Sequence, residues 1–280
     1  MLQAIFMPMA SVIVAFYNRI DYLKLVLAGF ERQTSNDFEI VIADDGSKPE
    51  VVDELELLMK NSPLSINHVW HEDLGFRKNK IMNEAIVAST GEYIIIIDGD
   101  CVPHREFVRE HVHCCEPNTC FTGRRVNLSE KMTRLLTPER VREAYLEKHF
   151  FRLIIDGLAG KTVDVEKGLY LRSKFLRDLA NRKKRGLVGC NFSLHRRDLM
   201  AVNGFDERYT LPSVGEDTDI QFRLEKNGVI IKSLNQIAIQ YHLYHPLQDR
   251  PQVNLDLYRQ VVQEGKAFTD FGIVKRSINK

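Results

Sequence analysis

A chain of 280 residues, 44% of them hydrophobic, is long enough to bury a sizeable core in one large α/β domain. Charged residues at 28% and a formal net charge of +1 exclude a disordered chain and the strongly basic composition of a nucleic-acid binder. The run Ile94-Ile95-Ile96-Ile97 falls far short of the roughly 20 apolar residues that a membrane span needs.

Residues 1–15 are apolar but lack a basic n-region, and they pass straight into Ser11-Val12-Ile13-Val14-Ala15. This start reads as a first β-strand and not as a signal peptide, so a cytoplasmic protein is expected. A polar turn at Tyr17-Asn18-Arg19 follows, then a helix with Leu23, Val26, Leu27 and Phe30 at near-helical spacing. Residues 38–43 are a second predicted strand, ended by Asp44-Asp45-Gly46-Ser47. Pro49 opens a helix over 49–60, where its missing N–H costs nothing. A strand over 66–70, a helix over 77–88 and a strand over 92–97 complete the first part. Trp70, the single tryptophan, is expected in the sheet core. Strands alternating with helices predict a mostly parallel sheet covered on both faces. Its strand C-termini share one edge, where ligands bind.

The middle of the chain differs. Residues 121–187 hold 17 Lys+Arg against 8 Asp+Glu, a basic block in an otherwise acidic protein. It suits either a solvated helical face or an anionic neighbour such as a membrane surface or a phosphate-bearing acceptor. Thr137-Pro138 reads as the N-cap and first residue of an amphipathic helix over 138–155. A second helix is predicted over 169–181, before Arg182-Lys183-Lys184-Arg185. Beyond it come a strand over 189–194, a short helix over 197–202 and a turn at Gly204-Phe205-Asp206-Glu207. A helix over 216–227 is closed by Gly228, strands follow over 229–231 and 237–241, and an amphipathic helix covers 254–268.

Five cysteines, an odd count with no CxxC pair, argue for a reducing compartment. His111, His113, Cys114, Cys115 and Cys120 make a candidate zinc cluster. Vicinal cysteines ligate one ion awkwardly, however, and i, i+2 histidines diverge on a helix, so a helix end with buried thiols is the favoured reading.

Three polar clusters sit at successive strand exits: Tyr17-Asn18-Arg19, Asp44-Asp45 and Asp98-Gly99-Asp100. Two carboxylates at i and i+2 after a buried strand repel one another unless a divalent cation joins them. Glycine between them lets a ligand approach the backbone. Gly215-Glu216-Asp217-Thr218-Asp219 opens a helix with more acids than capping requires, and a carboxylate there can take a proton from a hydroxyl. His242 and His245 follow a strand, placing imidazoles near the carboxylates.

Taken together, Ser11-Val12-Ile13-Val14-Ala15-Phe16-Tyr17-Asn18-Arg19, Ile40-Val41-Ile42-Ala43-Asp44-Asp45-Gly46-Ser47 and Gly91-Glu92-Tyr93 leading into Asp98-Gly99-Asp100 resemble family 2 glycosyltransferases. The resemblance implies a GT-A (Rossmann-like) α/β fold with a mostly parallel central sheet, flanking helices and a helical insertion. Leu74-Gly75-Phe76-Arg77, Asn203-Gly204-Phe205-Asp206-Glu207, Gly215-Glu216-Asp217-Thr218-Asp219 and His242-Leu243-Tyr244-His245-Pro246 narrow it to the branch whose C-terminal half is similar to galactosyltransferase and chondroitin-polymerase domains. The resemblance spans about residues 11–246 and covers the basic block weakly.

By position, the resemblance assigns Asp44 to the uracil of a UDP-sugar, with Phe16, Tyr17 and Arg19 at the base pocket. Arg77 and Lys80 would face the nucleotide or diphosphate. Asp98, with Gly99 beside it, would contact ribose and metal, and Asp100 would ligate the metal. His242, or its rival His245, would complete the metal shell, for Mn2+ in preference to Mg2+. Asp217 would be the general base and Glu216 would bind sugar hydroxyls. Members of that branch carry Gly-Trp-Gly before the Glu-Asp pair. Here the stretch is Leu211-Pro212-Ser213-Val214-Gly215, without a ring to stack on a sugar.

The implied reaction is inverting transfer from a UDP-sugar to a saccharide acceptor, a lipid-linked one if the 124–185 basic block rests on a membrane. No nucleic-acid partner is expected. One GT-A domain would comprise a nucleotide-sugar half (1–120), the basic helical insertion (121–187), an acceptor and catalytic half (188–250) and a C-terminal helix (251–280). A nucleotidyltransferase would need a Gly-rich basic loop after the first strand, and a nicotinamide-dependent oxidoreductase would need GxGxxG there; Tyr17-Asn18-Arg19 is neither. A degenerate sugar-nucleotide-binding protein is opposed by intact Asp98, Asp100, Asp217 and His242.

Overall fold

The computed structural model describes residues 9–180, 186–212, 215–246 and 251–275. In chain order the first part comprises β1 (Ala10–Phe16), α1 (Ile20–Phe30), β2 (Phe38–Asp44), α2 (Pro49–Lys60), β3 (Ile66–Trp70), α3 (Lys78–Ala88), β4 (Tyr93–Asp98), β5 (Cys101–Pro103) and α4 (Phe107–His113). The basic middle contains β6 (Thr119–Thr122), β7 (Arg124–Asn127), α5 (Glu130–Arg134), α6 (Pro138–Arg142), α7 (Tyr145–Lys148), α8 (Phe150–Leu158) and α9 (Lys174–Ala180). The last part holds β8 (Asn191–His195), α10 (Arg196–Ala201), α11 (Glu216–Lys226), β9 (Ile230–Ser233), β10 (Ile239–His242) and α12 (Gln252–Glu264).

Seven strands form one sheet in the order β3-β2-β1-β4-β8-β6-β9. β1, β2, β3 and β4 are parallel, β8 runs antiparallel to β4 and β6, and β9 is parallel to β6. The continuous apolar runs of β1, β2 and β4 follow from burial on both faces. One face packs Ile40 and Ile42 against Leu23, Val26 and Leu27 of α1. The other packs Val41 and Ile96 with Ile81 and Ala85 of α3. Strand order reverses at β1, which lies between β2 and β4, and this opens a crevice at the strand C-termini. In register, Phe16 lies opposite Asp44 and Ala15 opposite Asp98. A second sheet, β5-β10-β7, sets His242 opposite Cys101. The two acids of the Asp-Gly-Asp turn therefore bridge the two sheets.

Several expectations are corrected. The helix foreseen over 138–155 is three short helices, broken where Ala144 takes a left-handed φ of 63° and again at His149. The helix foreseen over 169–181 begins only at Lys174, because a 3-10 turn spans Val165–Gly168 and Leu171 N–H donates to Gln236 O. Residues 124–127, inside the block read as helical, form β7 and pair with β10. Trp70 is 47% exposed on the edge strand β3, its Nε1 donating to Ser47 O. The last strand starts at Ile239, since the amides of Ile237 and Ala238 turn back to Leu234 O. Asn181 and the run Arg182-Lys183-Lys184-Arg185 lie outside the described residues, as do Ser213 and Val214. No described helix is long and apolar enough to cross a membrane. His111 is fully buried, with Nδ1 beside Ser193 Oγ at 2.7 Å and Nε2 beside Asn191 Oδ1 at 3.1 Å. It is a core histidine, in keeping with the favoured reading of that cluster.

Candidate active site

Two cavities meet at the Asp98-Gly99-Asp100 turn. The larger, about 490 Å³, lies in the crevice beyond β1, β2 and β4. The smaller, about 430 Å³, is walled by Arg125, Gly189, Glu216, Asp217 and His242. Phe76, Lys78, Asp98, Asp100 and His245 line both. Gly99 is required between the acids: a Cβ there would stand 2.8 Å from Ala15 O, the carbonyl to which Gly99 N–H donates.

Phe16, Tyr17 and Arg19 also line the larger cavity, Phe16 lying beside Gly99. Tyr17 Oη donates to Asp73 Oδ2 at 2.9 Å. The Arg19 guanidinium lies 3.7 Å over the Tyr22 ring and bonds Asp21 at 3.0 Å. Asp44 does not reach this cavity. It is fully buried, accepting Ser47 N–H at 2.8 Å on Oδ1 and facing His68 Nε2 at 3.0 Å with Oδ2. Asp45 lines the cavity instead, accepting Arg77 N–H at 2.9 Å with His71 Nε2 at 2.8 Å. Burial pushes its carboxyl above the usual range, with these partners working the other way. The alternation of β2 carried the signal, for Ala43 and Asp45 share the cavity side whereas Ile42 and Asp44 share the other.

The basic residue at the junction is Lys78. Its Nζ lies 2.8 Å from Asp98 Oδ1. Burial works against the ammonium, but Asp98 and Glu216 outweigh it and hold Lys78 charged. Lys80 instead pairs with Glu84 one turn on. The Arg77 guanidinium turns to Glu72 O. The structure thus places neither Lys80 nor the Arg77 side chain at the cavities.

Asp100 Oδ2 lies 3.4 Å from His242 Nε2 and 3.3 Å from His245 Nε2, and the two imidazole nitrogens are 3.2 Å apart. Among the described residues this is the only group of three or more potential ligands gathered closely enough to hold a metal ion. Donors about 2.1 Å from a shared ion in tetrahedral or octahedral array stand roughly 3.0–3.4 Å apart, so the spacing fits. The mix of carboxylate and imidazole suits a divalent metal ion. Leu243 N–H donates to Asp100 O, and His245 Nδ1 is oriented by Pro246 O at 2.8 Å, which fixes the triad from behind. Burial opposes the charge of Asp100, yet the two imidazoles hold its carboxyl well below the usual range, and Asp100 in turn raises His245. Both rival histidines therefore converge on Asp100. Asp98 stands beside this group, engaged by Lys78.

Across the smaller cavity, Gly215 takes a φ of 106° and turns the chain into α11, presenting Glu216 and Asp217. A Cβ on Gly215 would collide with the Tyr209 ring at 2.6 Å. Asp217 packs against Gly189, and its Oδ1 accepts a 3.3 Å bond from Thr218. Burial pushes the Glu216 carboxyl up, and its Oε2 has no hydrogen-bond partner among the described residues. The third acid, Asp219, turns away and is fully buried on Arg223 at 2.6 Å.

The model of glycosyl transferase family 2 matches residues 11–198, and that described as the N-terminal domain of galactosyltransferase matches residues 179–246. A chondroitin synthase of Escherichia coli is 26% identical over 247 residues, 84% of this chain and 35% of the relative. The uncharacterized glycosyltransferase YfnE of Bacillus subtilis is 24% identical over 265 residues, 85% of this chain and 65% of the relative. The chain thus spans about a third of the chondroitin synthase. Among solved structures, S. aureus TarS superposes with a TM-score of 0.57 at 16% identity, covering 91% of this chain and 39% of that one. Mannosyltransferase PcManGT from Pyrobaculum calidifontis, solved with GDP-Man and Mn2+, gives 0.52 at 17% identity, covering 92% and 63%.

Proposed function

Because the chain belongs to glycosyl transferase family 2 and has the GT-A fold, we propose that it transfers a sugar, with inversion, from a UDP-sugar in the larger cavity to a saccharide hydroxyl in the smaller. The observation that carries this reading is the meeting of the two cavities at Lys78, Asp98 and Asp100, with Asp217 on the far side. A UDP complex of TarS and the GDP-Man and Mn2+ complex of PcManGT support a nucleotide-sugar and a divalent cation. Five free thiols support a reducing, cytoplasmic setting.

Tyr17, Phe16 and Asp45 bound the base end of the donor, and Lys78 faces the diphosphate. Asp100, His242 and His245 would hold manganese, which when bound supplies Lewis acidity to the leaving diphosphate. Asp217 takes the proton of the acceptor hydroxyl. That oxygen then bonds to the anomeric carbon from the face opposite UDP as the bond to the diphosphate breaks. The Lys78 ammonium meets negative charge growing on the departing oxygen. Glu216, whose buried Oε2 has no hydrogen-bond partner among the described residues, is suited to accept a hydrogen bond from a sugar hydroxyl.

The test is nucleoside-diphosphate release from a panel of UDP-sugars and GDP-mannose, with saccharide acceptors, with and without manganese. The reading expects release from a UDP-sugar only with manganese, and a product of inverted anomeric configuration by NMR. Preference for GDP-mannose would overturn the donor assignment, and a silent panel would favour a binding protein without catalysis.

A further inference from the structure

Helix α8 exposes a complete apolar face. Phe151, Ile154, Ile155 and Leu158 recur at i, i+3, i+4 and i+7 and are 45–84% exposed. The inner face fixes the helix: Leu153 is buried in the core, and the Asp156 carboxylate accepts the Thr162 hydroxyl at 2.6 Å. A groove of about 460 Å³ runs from Ile154 and Leu158 across to Val165 and Leu169, with Glu166 and the Lys167-paired Asp164 also in its lining. The following helix α9 separately presents Phe175, Leu176 and Leu179, each 47–75% exposed. Apolar exposure on this scale marks a partner.

The charge around it identifies the partner. Over residues 148–179 the exposed cations are Lys148, Arg152, Lys161, Arg172 and Lys174. The exposed acids are Glu166 and Asp178 alone. Lysine is depleted from protein–protein interfaces, whereas an apolar stripe rimmed by lysine and arginine matches the boundary between anionic headgroups and acyl chains. At nine residues α8 is about 13 Å long, too short to cross a bilayer but suited to lie in its plane.

We propose that α8 and α9 dock this glycosyltransferase on an anionic lipid bilayer, their apolar side chains entering the interface and the basic rim meeting the headgroups. Insertion and electrostatics are two weak signals that together give reversible binding, weakened by salt. The proposal is independent of donor and acceptor identity.

The test is co-sedimentation of the full chain with vesicles of phosphatidylcholine alone and of phosphatidylcholine with phosphatidylglycerol. The wild type is expected to bind the mixed vesicles, to bind phosphatidylcholine weakly, and to lose binding as salt rises. The double variant I155E/L158E, both positions on the surface, should keep its melting temperature while its partition falls at least about tenfold. K161E/R172E should weaken binding and flatten its salt dependence. Equal sedimentation of the wild type and I155E/L158E would overturn the proposal. So would failure to bind the mixed vesicles, including the case in which light scattering finds a wild-type dimer that I155E/L158E dissolves, which would make the face a protein interface.

Discussion

His242 Nε2 and His245 Nε2 stand 3.2 Å apart, both facing Oδ2 of Asp100. Without a cation this approach supplies a single N–H···N hydrogen bond between the rings. A shared cation uses all three donors at once. Asp98 stays outside this group. D100N, H242A and H245A should therefore each weaken Mn2+ binding by about 100-fold or more, as read by electron paramagnetic resonance titration. D98N should leave Mn2+ binding without nucleotide within a few-fold. Equal losses for D98N and D100N would return Asp98 to the metal shell.

Lys78 and Lys80 separate a site residue from a surface ion pair. K78M should lower kcat by about 10²–10³, the scale on which one donor to developing charge is lost, with folding checked by circular dichroism. K80M removes only a half-exposed i, i+4 pair with Glu84 and should leave kcat within about twofold. The reverse order of effects would show that the diphosphate sits against the other side of α3.

This pair also shows where the sequence stops being legible. The bounds of α2 and β3 could be read directly, because a proline at N1 and a compact strand pattern mark them. The register of α3 could not. Its apolar face is weak, and a step of two residues along a helix turns a side chain by about 200°, so two lysines that look interchangeable face different ways. Asp44 and Asp45, by contrast, could be told apart by alternation, because one step along a strand reverses the face. The middle block was illegible for another reason. Helices of four or five residues such as α6 and α7 are held by tertiary contacts, not by a pattern of their own. The convergence of His242 and His245 on Asp100 depends on β10 pairing with β5, far apart in the chain.

Burial pushes the His111 imidazole down to about 3, whereas an unfolded histidine takes up its proton near 6.5. Between these values the unfolded state binds more protons, so this contribution is full above about pH 6.5 and is lost as pH falls toward 3. The slope is about 1.4 kcal/mol per pH unit. Urea unfolding between pH 7 and pH 5 should show the wild type losing stability faster than H111Q. Parallel pH profiles would mean that His111 does not stay neutral in the fold.

Arg223 anchors the helix that presents Glu216 and Asp217. Its guanidinium is buried on Asp219 and also donates to Val202 O at 2.9 Å and Gly204 O at 2.8 Å. R223M leaves Asp219 buried and unpaired and should cost about 3–5 kcal/mol in urea unfolding. D219L/R223M, which removes both charges, should recover much of that loss. A loss below about 1 kcal/mol for R223M would mean that water reaches Asp219.

Asp217 lines the smaller cavity and stands outside the Asp100, His242 and His245 group, so if it is the proposed base its removal should separate chemistry from donor binding. The decisive measurement pairs acceptor-dependent turnover of D217N with calorimetry of UDP and Mn2+ on the same protein. Turnover is expected to fall by about 10³ or more, with UDP·Mn2+ affinity equal to that of the wild type. Near-normal turnover would contradict the assignment of the base, and a matching loss of UDP·Mn2+ affinity would place Asp217 with the donor instead.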